Sequence, residues 1–273
     1  MWDHPATQEN IELLRVRGVR IVSPDEGYLA CGMTGKGRLA GVEPIAQAVL
    51  EALGVRHDLD RDTVLVTAGP TCEDLDPVRY LTNRSSGKMG YAVADAAIRR
   101  GARVILISGP TGLDAPERAE RISVRSTEEM HRAVLAHLSP ASIVVMAAAV
   151  ADYRPVAPRG DKIKRQSDRL TLELEATPDI LADVSGIRGD RILVGFAAET
   201  GSVAENARRK LASKSADLIV ANDVTAEGAG FDVDTNVVTL YTRDGREIPL
   251  PRMSKLDVAH RVLDQALELR RAR

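Results

Sequence analysis

Residues 63–71 read TVLVTAGPT. The first six are apolar or β-branched without alternation. That pattern marks a strand covered on both faces, the kind found inside a parallel sheet. The Gly-Pro pair then ends it. The same spelling recurs along the chain: RVILIS at 103–108, closed by a second GPT at 109–111; ISV at 122–124; SIVVMAAA at 142–149; RILVGF at 191–196; and DLIVAN at 217–222. Helical spacing fills the intervals. Residues 86–100 place Met89, Ala92, Val93 and Ile98 at helical intervals, with Gly101 as a stop. The segment from Ser126 opens on a capping residue followed by Glu128 and Glu129, and residues 203–213 supply another helix. Strand–helix alternation of this kind predicts an α/β fold, a doubly wound, Rossmann-like, mostly parallel sheet flanked by helices.

Two segments break the rhythm. Residues 162–176 carry KIKR and then LTLELEA, whose alternation predicts a protruding antiparallel strand arm with one wet face. Residues 236–250 predict a hairpin around Asp244 and Gly245, and 253–269 an amphipathic helix. Upstream, the pattern gives a short helix at 10–16, a short strand at 19–22, a glycine-rich loop at 27–41, a helix at 44–53 and a polar linker at 54–61.

Composition narrows the function. The 273 residues are 44% hydrophobic and 28% charged, with net charge −2, so a nucleic-acid partner is not expected. Aromatic residues at 3% are too few for base-stacking platforms. No apolar run approaches the roughly 20 residues that span a bilayer, so no membrane partner is expected. Two cysteines, Cys31 and Cys72, cannot build a disulfide framework, which makes a reducing cytoplasm the expected setting.

Ligands on such sheets bind beyond the carboxyl ends of the strands. The candidate site therefore gathers Gly69 in the first GPT, residues 109–111, 147–154, 195–200 and 221–224. Residues 78–95, VRYLTNRSSGKMGYAVAD, add a turn running into a helix. Ser85, Ser86 and Gly87 fit an anion-binding helix start, although an isolated SSG equally fits an ordinary serine cap. The phosphate-loop spelling fails because Thr82 stands where its first glycine should be and Met89 follows Lys88. The dinucleotide fingerprint fails too, which weighs against the alternative reading, a dinucleotide-dependent oxidoreductase. Arg79 can grip a carboxylate or phosphate, and Asn83 offers a donor and an acceptor. Asp152, at the end of a buried strand, can hold Mg2+ beside phosphates or simply face solvent. Lys162 and Lys164 can reach a phosphate site. Lys210 and Lys214, one helical turn apart, read either as a wet helix face or as further cations.

Taken together, these motifs resemble phosphopantothenoylcysteine synthetase. The resemblance rests on residues 66–90, on AAAVADYRP at 147–155 followed by KIKR, on TPDIL at 177–181, VGFAAET at 194–200 and KLASKSADLIVAND at 210–223, in that order. MWDHPATQENI at 1–11 and LACGMTGKGRLA at 29–40 resemble the tail of a flavin-dependent phosphopantothenoylcysteine decarboxylase, a domain fused ahead of the synthetase in many prokaryotes. The expected division is a decarboxylase remnant at 1–42, helix and linker at 43–61, and a ligase domain at 62–273.

The resemblance implies CTP-dependent joining of 4′-phosphopantothenate to L-cysteine through an acyl-cytidylate, in coenzyme A biosynthesis. It implies that Asn83 stabilises the intermediate, that Arg79, Ala148 and Ala149 contact the acid substrate, and that Asp152 with Mg2+ and Lys162 handle the triphosphate. Phe196 would pack beside the nucleotide. Cys31 matches the decarboxylase cysteine, in a part expected to be inactive, with FMN belonging only to an absent flavin domain. A homodimer through the strand arm is expected, with each site completed by the partner chain and a higher oligomer only with an intact decarboxylase domain.

Overall fold

The computed structural model describes residues 2–52, 56–164, 169–199, 201–223, 230 and 233–273. Two compact units appear, Met1–Arg56 and His57–Arg273. The first contains helix α1 (Pro5–Val16), strands β1 (Asp25–Tyr28) and β2 (Thr34–Arg38), and helix α2 (Val42–Ala52). The strand expected at 19–22 is absent among the described residues. The glycine-rich stretch read as a loop is instead the antiparallel β1–β2 hairpin. Its turn is closed by the Leu29 N–H donating to the Met33 carbonyl at 2.8 Å. Glycines hide the side-chain alternation that normally signals a strand, so backbone pairing forms where the pattern is silent.

The second unit runs β3 (Thr63–Ala68), β4 (Cys72–Asp74), β5 (Tyr80–Thr82), α3 (Lys88–Arg99), β6 (Arg103–Ser108), β7 (Ala119–Ser123), α4 (Thr127–His137), β8 (Ile143–Met146), β9 (Tyr153–Pro155), β10 (Leu174–Ala176) and α5 (Ile180–Ile187). It continues with β11 (Ile192–Glu199), α6 (Val203–Ser213), β12 (Leu218–Asp223), β13 (Thr235–Asn236), β14 (Val238–Thr242), β15 (Glu247–Pro249), β16 (Met253–Ser254) and α7 (Lys255–Arg271). Eight strands form the central sheet in the order β15-β14-β12-β11-β8-β3-β6-β7. Its six strands from β12 to β7 are parallel, and β14 and β15 extend one edge antiparallel. The fold is thus the Rossmann-like, mostly parallel α/β sheet that the buried strand pattern predicts.

Each central strand sends alternate residues to two cores. Val64, Val66, Val104, Val145, Val194 and Val220 pack with α3 and α7, whereas Leu65, Ile105, Val144, Leu193 and Ile219 pack with α4, α5 and α6. Both faces being covered explains the absence of polar alternation in these strands. The chain leaves β3 for β6 and β7 on one side, then crosses to β8 on the other. The loops after β3 and β8 therefore part at a topological switch point, where open α/β sheets leave a crevice.

The arm is shorter than expected. Pairing with β9 covers only Leu174–Ala176, and Leu170 and Leu172 stay exposed at 56% and 39%. The partner strand is only three residues long, and among the described residues the Val156 N–H to Glu173 carbonyl bond is the one backbone bond that continues the pairing into residues 170–173. No helix among the described residues is long and apolar enough to cross a membrane.

One buried ion pair fastens the end of α3 to α7. Arg100 is 1% exposed. Its guanidinium forks onto Asp58 at 2.8 and 2.6 Å, meets Asp264 at 2.9 Å and donates to the His260 carbonyl at 3.1 Å. Removing one partner from a buried pair costs about 3–5 kcal/mol, and the partial exposure of both carboxylates favours the lower end. Arg100→Met is expected to lower Tm by roughly 6–12 °C for a domain of this size. A calorimetric scan showing an unchanged Tm would remove this pair from the forces holding α7.

Candidate functional site

A cavity of about 880 Å³ opens at the switch point, within the size range of small-molecule sites. Its floor is the end of β3 and the loop after β8. Thr67 is fully buried, and its hydroxyl accepts from the Ala148 N–H at 3.2 Å. The Ala149 N–H donates to the Gly69 carbonyl at 2.9 Å, and Pro70 bridges to Ala149, so the two loops continue the parallel pairing beyond the strands. Small side chains at 147–149 leave this backbone within reach of a ligand.

One wall is the start of α3. Its cap is Gly87 at φ +79, and no side chain caps the helix among the described residues. The first turn holds no acidic residue and begins with Lys88. The start of the helix, with the positive end of its dipole, lines the cavity here, an arrangement that favours phosphate or carboxylate. A Cβ on Gly87 would lie 3.0 Å from the Thr111 Cγ2 and 3.3 Å from the Gly69 Cα, so at φ +79 this close approach favours glycine at 87. Gly90 brings α3 against β3, since its Cβ would come 2.6 Å from that of Ala68. The helix predicted from 86 thus starts two residues later, with Ser86 lining the cavity rather than capping. The Ser85 hydroxyl accepts the Gly87 N–H at 3.4 Å, which shapes the turn.

Asn83 stands between this wall and the floor. Its Nδ2 donates to the Ala149 carbonyl at 3.2 Å and to the Val150 carbonyl at 2.8 Å. Both amide hydrogens are committed, which fixes the side chain and the loop after β8 against each other.

Phe196, Lys210 and Lys214 form the opposite side. Lys210 Nζ donates to the Phe196 carbonyl at 2.9 Å. Lys214 pairs with Asp179, whose carboxylate also accepts the Ala182 N–H at 3.0 Å and caps α5. Burial works against ionisation of Asp179, but the Lys214 hydrogen bond, the Ala182 N–H and the Lys214 and Lys210 charges hold its carboxyl below the ordinary value. Lys88 meets Asp234 at 2.7 Å, and that hydrogen bond holds the Asp234 carboxyl below the ordinary value. Asp152 lines the cavity near Ala176 and Thr177.

Ten residues singled out from sequence therefore meet: Asn83, Ser85, Ser86, Gly87, Ala148, Ala149, Asp152, Phe196, Lys210 and Lys214. Gly69 lies behind Gly87 as a packing partner.

Three of the expected residues do not line the cavity of their own chain: Arg79, Lys162 and Lys164. Arg79 sits instead at Asp76, which is 2% exposed, and Lys162 and Lys164 flank Ile163, whose N–H bonds the same carboxylate. The Asp76 carboxylate accepts the N–H groups of Val78 at 2.8 Å, Arg79 at 2.9 Å and Ile163 at 3.1 Å. Arg79 Nε lies 3.2 Å from it, and the same guanidinium donates to the Ile163 carbonyl. Burial opposes ionisation of Asp76, and the three N–H donors with the Arg79 charge overcome it, holding the carboxyl below the ordinary value. The KIKR run is thus tied to the Arg79 turn and led away from the cavity; Arg165 lies outside the described residues. Cys31 is exposed in the other unit, beside the β1–β2 turn.

Sequence reading missed Asp179, Lys88, Asn222, Asn236 and Lys255, all lining the cavity. Asp179 lies in the TPDIL segment and Asn222 in AND, so their signal was present without a role attached. Asn236 and Lys255 carried none.

Residues 59–269 match the family described as DNA/pantothenate metabolism flavoprotein C-terminal domain, and residues 1–54 match the family described as Flavoprotein. The chain belongs to the first of these families. It is 50% identical over 272 residues to the coenzyme A biosynthesis bifunctional protein CoaBC of Bacillus subtilis, covering 98% of this chain and 67% of that protein. Identity is 44% over 261 residues to the Escherichia coli K12 protein of the same name, 94% of this chain and 64% of that one. The chain therefore spans about two thirds of the length of these relatives. A crystal structure of the C-terminal domain of a CoaBC protein superposes with TM-score 0.67 at 42% identity, over 78% of this chain and 98% of that one. A Cab2 mutant in complex with phosphopantothenate-cysteine shares the fold, with TM-score 0.62 at 15% identity over 82% of this chain and 90% of that one.

These findings correct two expectations. The chain is not described as a synthetase half trailing a decarboxylase remnant: one matched family is a pantothenate-metabolism flavoprotein domain and the other, at 1–54, a flavoprotein domain. Nor is the expectation of a cytidylate-forming ligase with an inactive second part upheld: the relatives are named as bifunctional coenzyme A biosynthesis proteins. The flavoprotein match runs through all of 1–54, beyond the motifs at 1–11 and 29–40.

The flavoprotein match suggests FMN as the flavin. In the first unit the buried hydrophobic residues are Ile11 and Ala40 among those described, too few to wall an isoalloxazine ring. These residues do not fit a flavin by themselves, and no step is derived through one. For Mg2+, no group of three potential ligands occurs among the described residues. Mg2+ usually keeps waters and takes one or two carboxylates with substrate phosphates, and Asp152 in the cavity suits that mode.

Proposed function

We propose that the cavity is the site of a phosphopantothenate–cysteine ligase driven by a nucleoside triphosphate, CTP, within coenzyme A biosynthesis. The observation that carries this reading is the position of Asn83, fixed between an uncapped helix start and the cavity-lining residues 148–150. An acid and a polyphosphate would meet there. The phosphates would rest on the first turn of α3 and on Lys88, Lys210 and Lys214, with Asp152 as the carboxylate nearest a bound Mg2+. Phe196 offers a flat apolar face to the base. Ala148 and Ala149 let the acid chain lie along backbone. An amide does not form from a free carboxylate and an amine at neutral pH, and the nucleotide supplies the activation. A cavity that excludes water and concentrates cations strengthens every charge interaction in that step.

We also propose a homodimer through the arm, in which Arg79, Lys162 and Lys164 serve the partner's cavity. Their absence from their own cavity and the exposed Tyr153, Val156, Leu170 and Leu172 support this reading. The direct test incubates the chain with CTP, Mg2+, 4′-phosphopantothenate and L-cysteine, and follows the amide product by mass spectrometry. Product is expected only when all substrates are present, and ATP should replace CTP poorly. No product in the complete mixture would end the ligase reading.

A further inference from the structure

Asn236 has no role in the reading above, yet it is 3% exposed and lines the cavity. It belongs to β13, whose pairing with β16 holds its backbone opposite Met253. Its amide is poorly served. Nδ2 reaches the Met89 sulfur at 3.7 Å, a weak acceptor, and Oδ1 has no hydrogen-bond partner among the described residues. Turning the amide over would only exchange the two deficits. Buried polar atoms are seldom left so, and in a residue that lines a ligand cavity a ligand group is the natural partner.

The chemistry of that group follows from the surroundings. Oδ1 calls for a donor, which a phosphate oxygen is not, even though Met89 lies in the first turn of α3 and Lys88 pairs with Asp234 two residues away. A hydroxyl suits either orientation, because it donates to Oδ1 and accepts from Nδ2. Phe196 and Met89 both pack against the core on the α3–α7 side of the sheet, which is the side Asn236 reaches through the Met89 sulfur. A nucleotide with phosphates on α3 and base on Phe196 would carry its sugar past this point.

We propose that Asn236 is a ligand-binding residue that hydrogen-bonds a hydroxyl of the bound nucleotide's ribose and so selects ribonucleotides. This inference rests on the nucleotide reading of the cavity. The second hydroxyl-bearing candidate is the phosphopantothenate chain, and the same measurement separates the two.

The experiment is calorimetric titration of the intact chain and of Asn236→Leu, which keeps the side-chain shape, with CTP, 2′-deoxy-CTP, 3′-deoxy-CTP and phosphopantothenate. The native protein is expected to bind one deoxy analogue about 10-fold more weakly than CTP, the value of one lost hydrogen bond in a polar-reading site. Asn236→Leu should bind CTP about 10-fold more weakly and no longer distinguish that analogue, with phosphopantothenate unaffected. Asn236→Asp keeps an acceptor, so it should retain the discrimination while weakening every nucleotide alike. This second variant guards against a Leu variant that fails to fold. Unchanged CTP affinity and unchanged deoxy discrimination in Asn236→Leu would overturn the proposal, as would a loss confined to phosphopantothenate. If the native protein binds no nucleotide, the underlying reading fails, and the ribose assignment falls with it.

Discussion

Asn83→Asp is expected to lower kcat/KM by roughly 10²–10³-fold, the range seen when one well-aimed polar group is removed from a site that stabilises developing charge. Two effects act together. The amide donates to the carbonyls of Ala149 and Val150 at 3.2 and 2.8 Å. A carboxylate cannot donate, so it would face two carbonyl oxygens and push the loop after β8 away from the floor. It would also place a negative charge beside the helix start of α3, where the phosphates are proposed to sit. The loss should fall mainly on kcat, with a smaller rise in KM, because the acid and nucleotide retain their other contacts. Asn83→Ser, which keeps a donor without adding charge, should fall between the two. Steady-state kinetics on the three proteins decides the matter. A variant with aspartate at 83 that turns over at the native rate would remove Asn83 from the reacting centre.

The parts legible in the sequence are those in which local pattern and tertiary structure agree. The apolar runs of β3, β6, β8, β11 and β12 read as buried strands because α-helices cover both faces, and that coverage leaves no polar alternation. The crevice lies beyond the carboxyl ends of these strands, so Asn83, residues 85–87, 148–149, Asp152, Phe196, Lys210 and Lys214 are legible as candidates from the sequence. The rest depended on long-range contacts. Arg79 and the KIKR run read as separate contributions, one to the acid substrate and one to the triphosphate, but the buried Asp76 carboxylate joins them across 87 residues of chain, through the Ile163 N–H. Nothing in the spelling LDPVR shows that its aspartate is buried. Asn236 and Lys255 reach the cavity through the short β13–β16 ladder, two residues a side, too brief to leave a periodic trace. Lys255 is 6% exposed and donates to the Gly230 carbonyl at 3.1 Å, a placement opposite to the wet face that a lysine at a helix start usually signals.

Mixing two inactive variants is expected to restore activity. In the proposed dimer each cavity takes Asn83 from its own chain and Arg79 from the partner. Arg79→Ala and Asn83→Asp should each be nearly inactive alone. A mixed dimer then has one cavity with native Asn83 from the first chain and native Arg79 from the second, and one cavity carrying both substitutions. With random exchange of equal amounts, half of the dimers are mixed and half of their cavities are intact, so about a quarter of native activity returns for a two-fold assembly. If Arg79 served its own cavity, both cavities of every mixed dimer would carry a substitution and nothing would return. The geometry favours the first outcome, since Arg79 is bound to Asp76 and to the Ile163 carbonyl and does not line the cavity of its own chain. Exchange is promoted with mild denaturant and followed by sedimentation, with Arg79→Ala checked for native thermal stability because it also loosens the Asp76 cluster. Lys162→Gln should complement Asn83→Asp in the same way, since Lys162 lies on the same arm and also stands off its own cavity. Sedimentation as a monomer with full activity, or absence of any recovery in both mixtures, would refute the shared site.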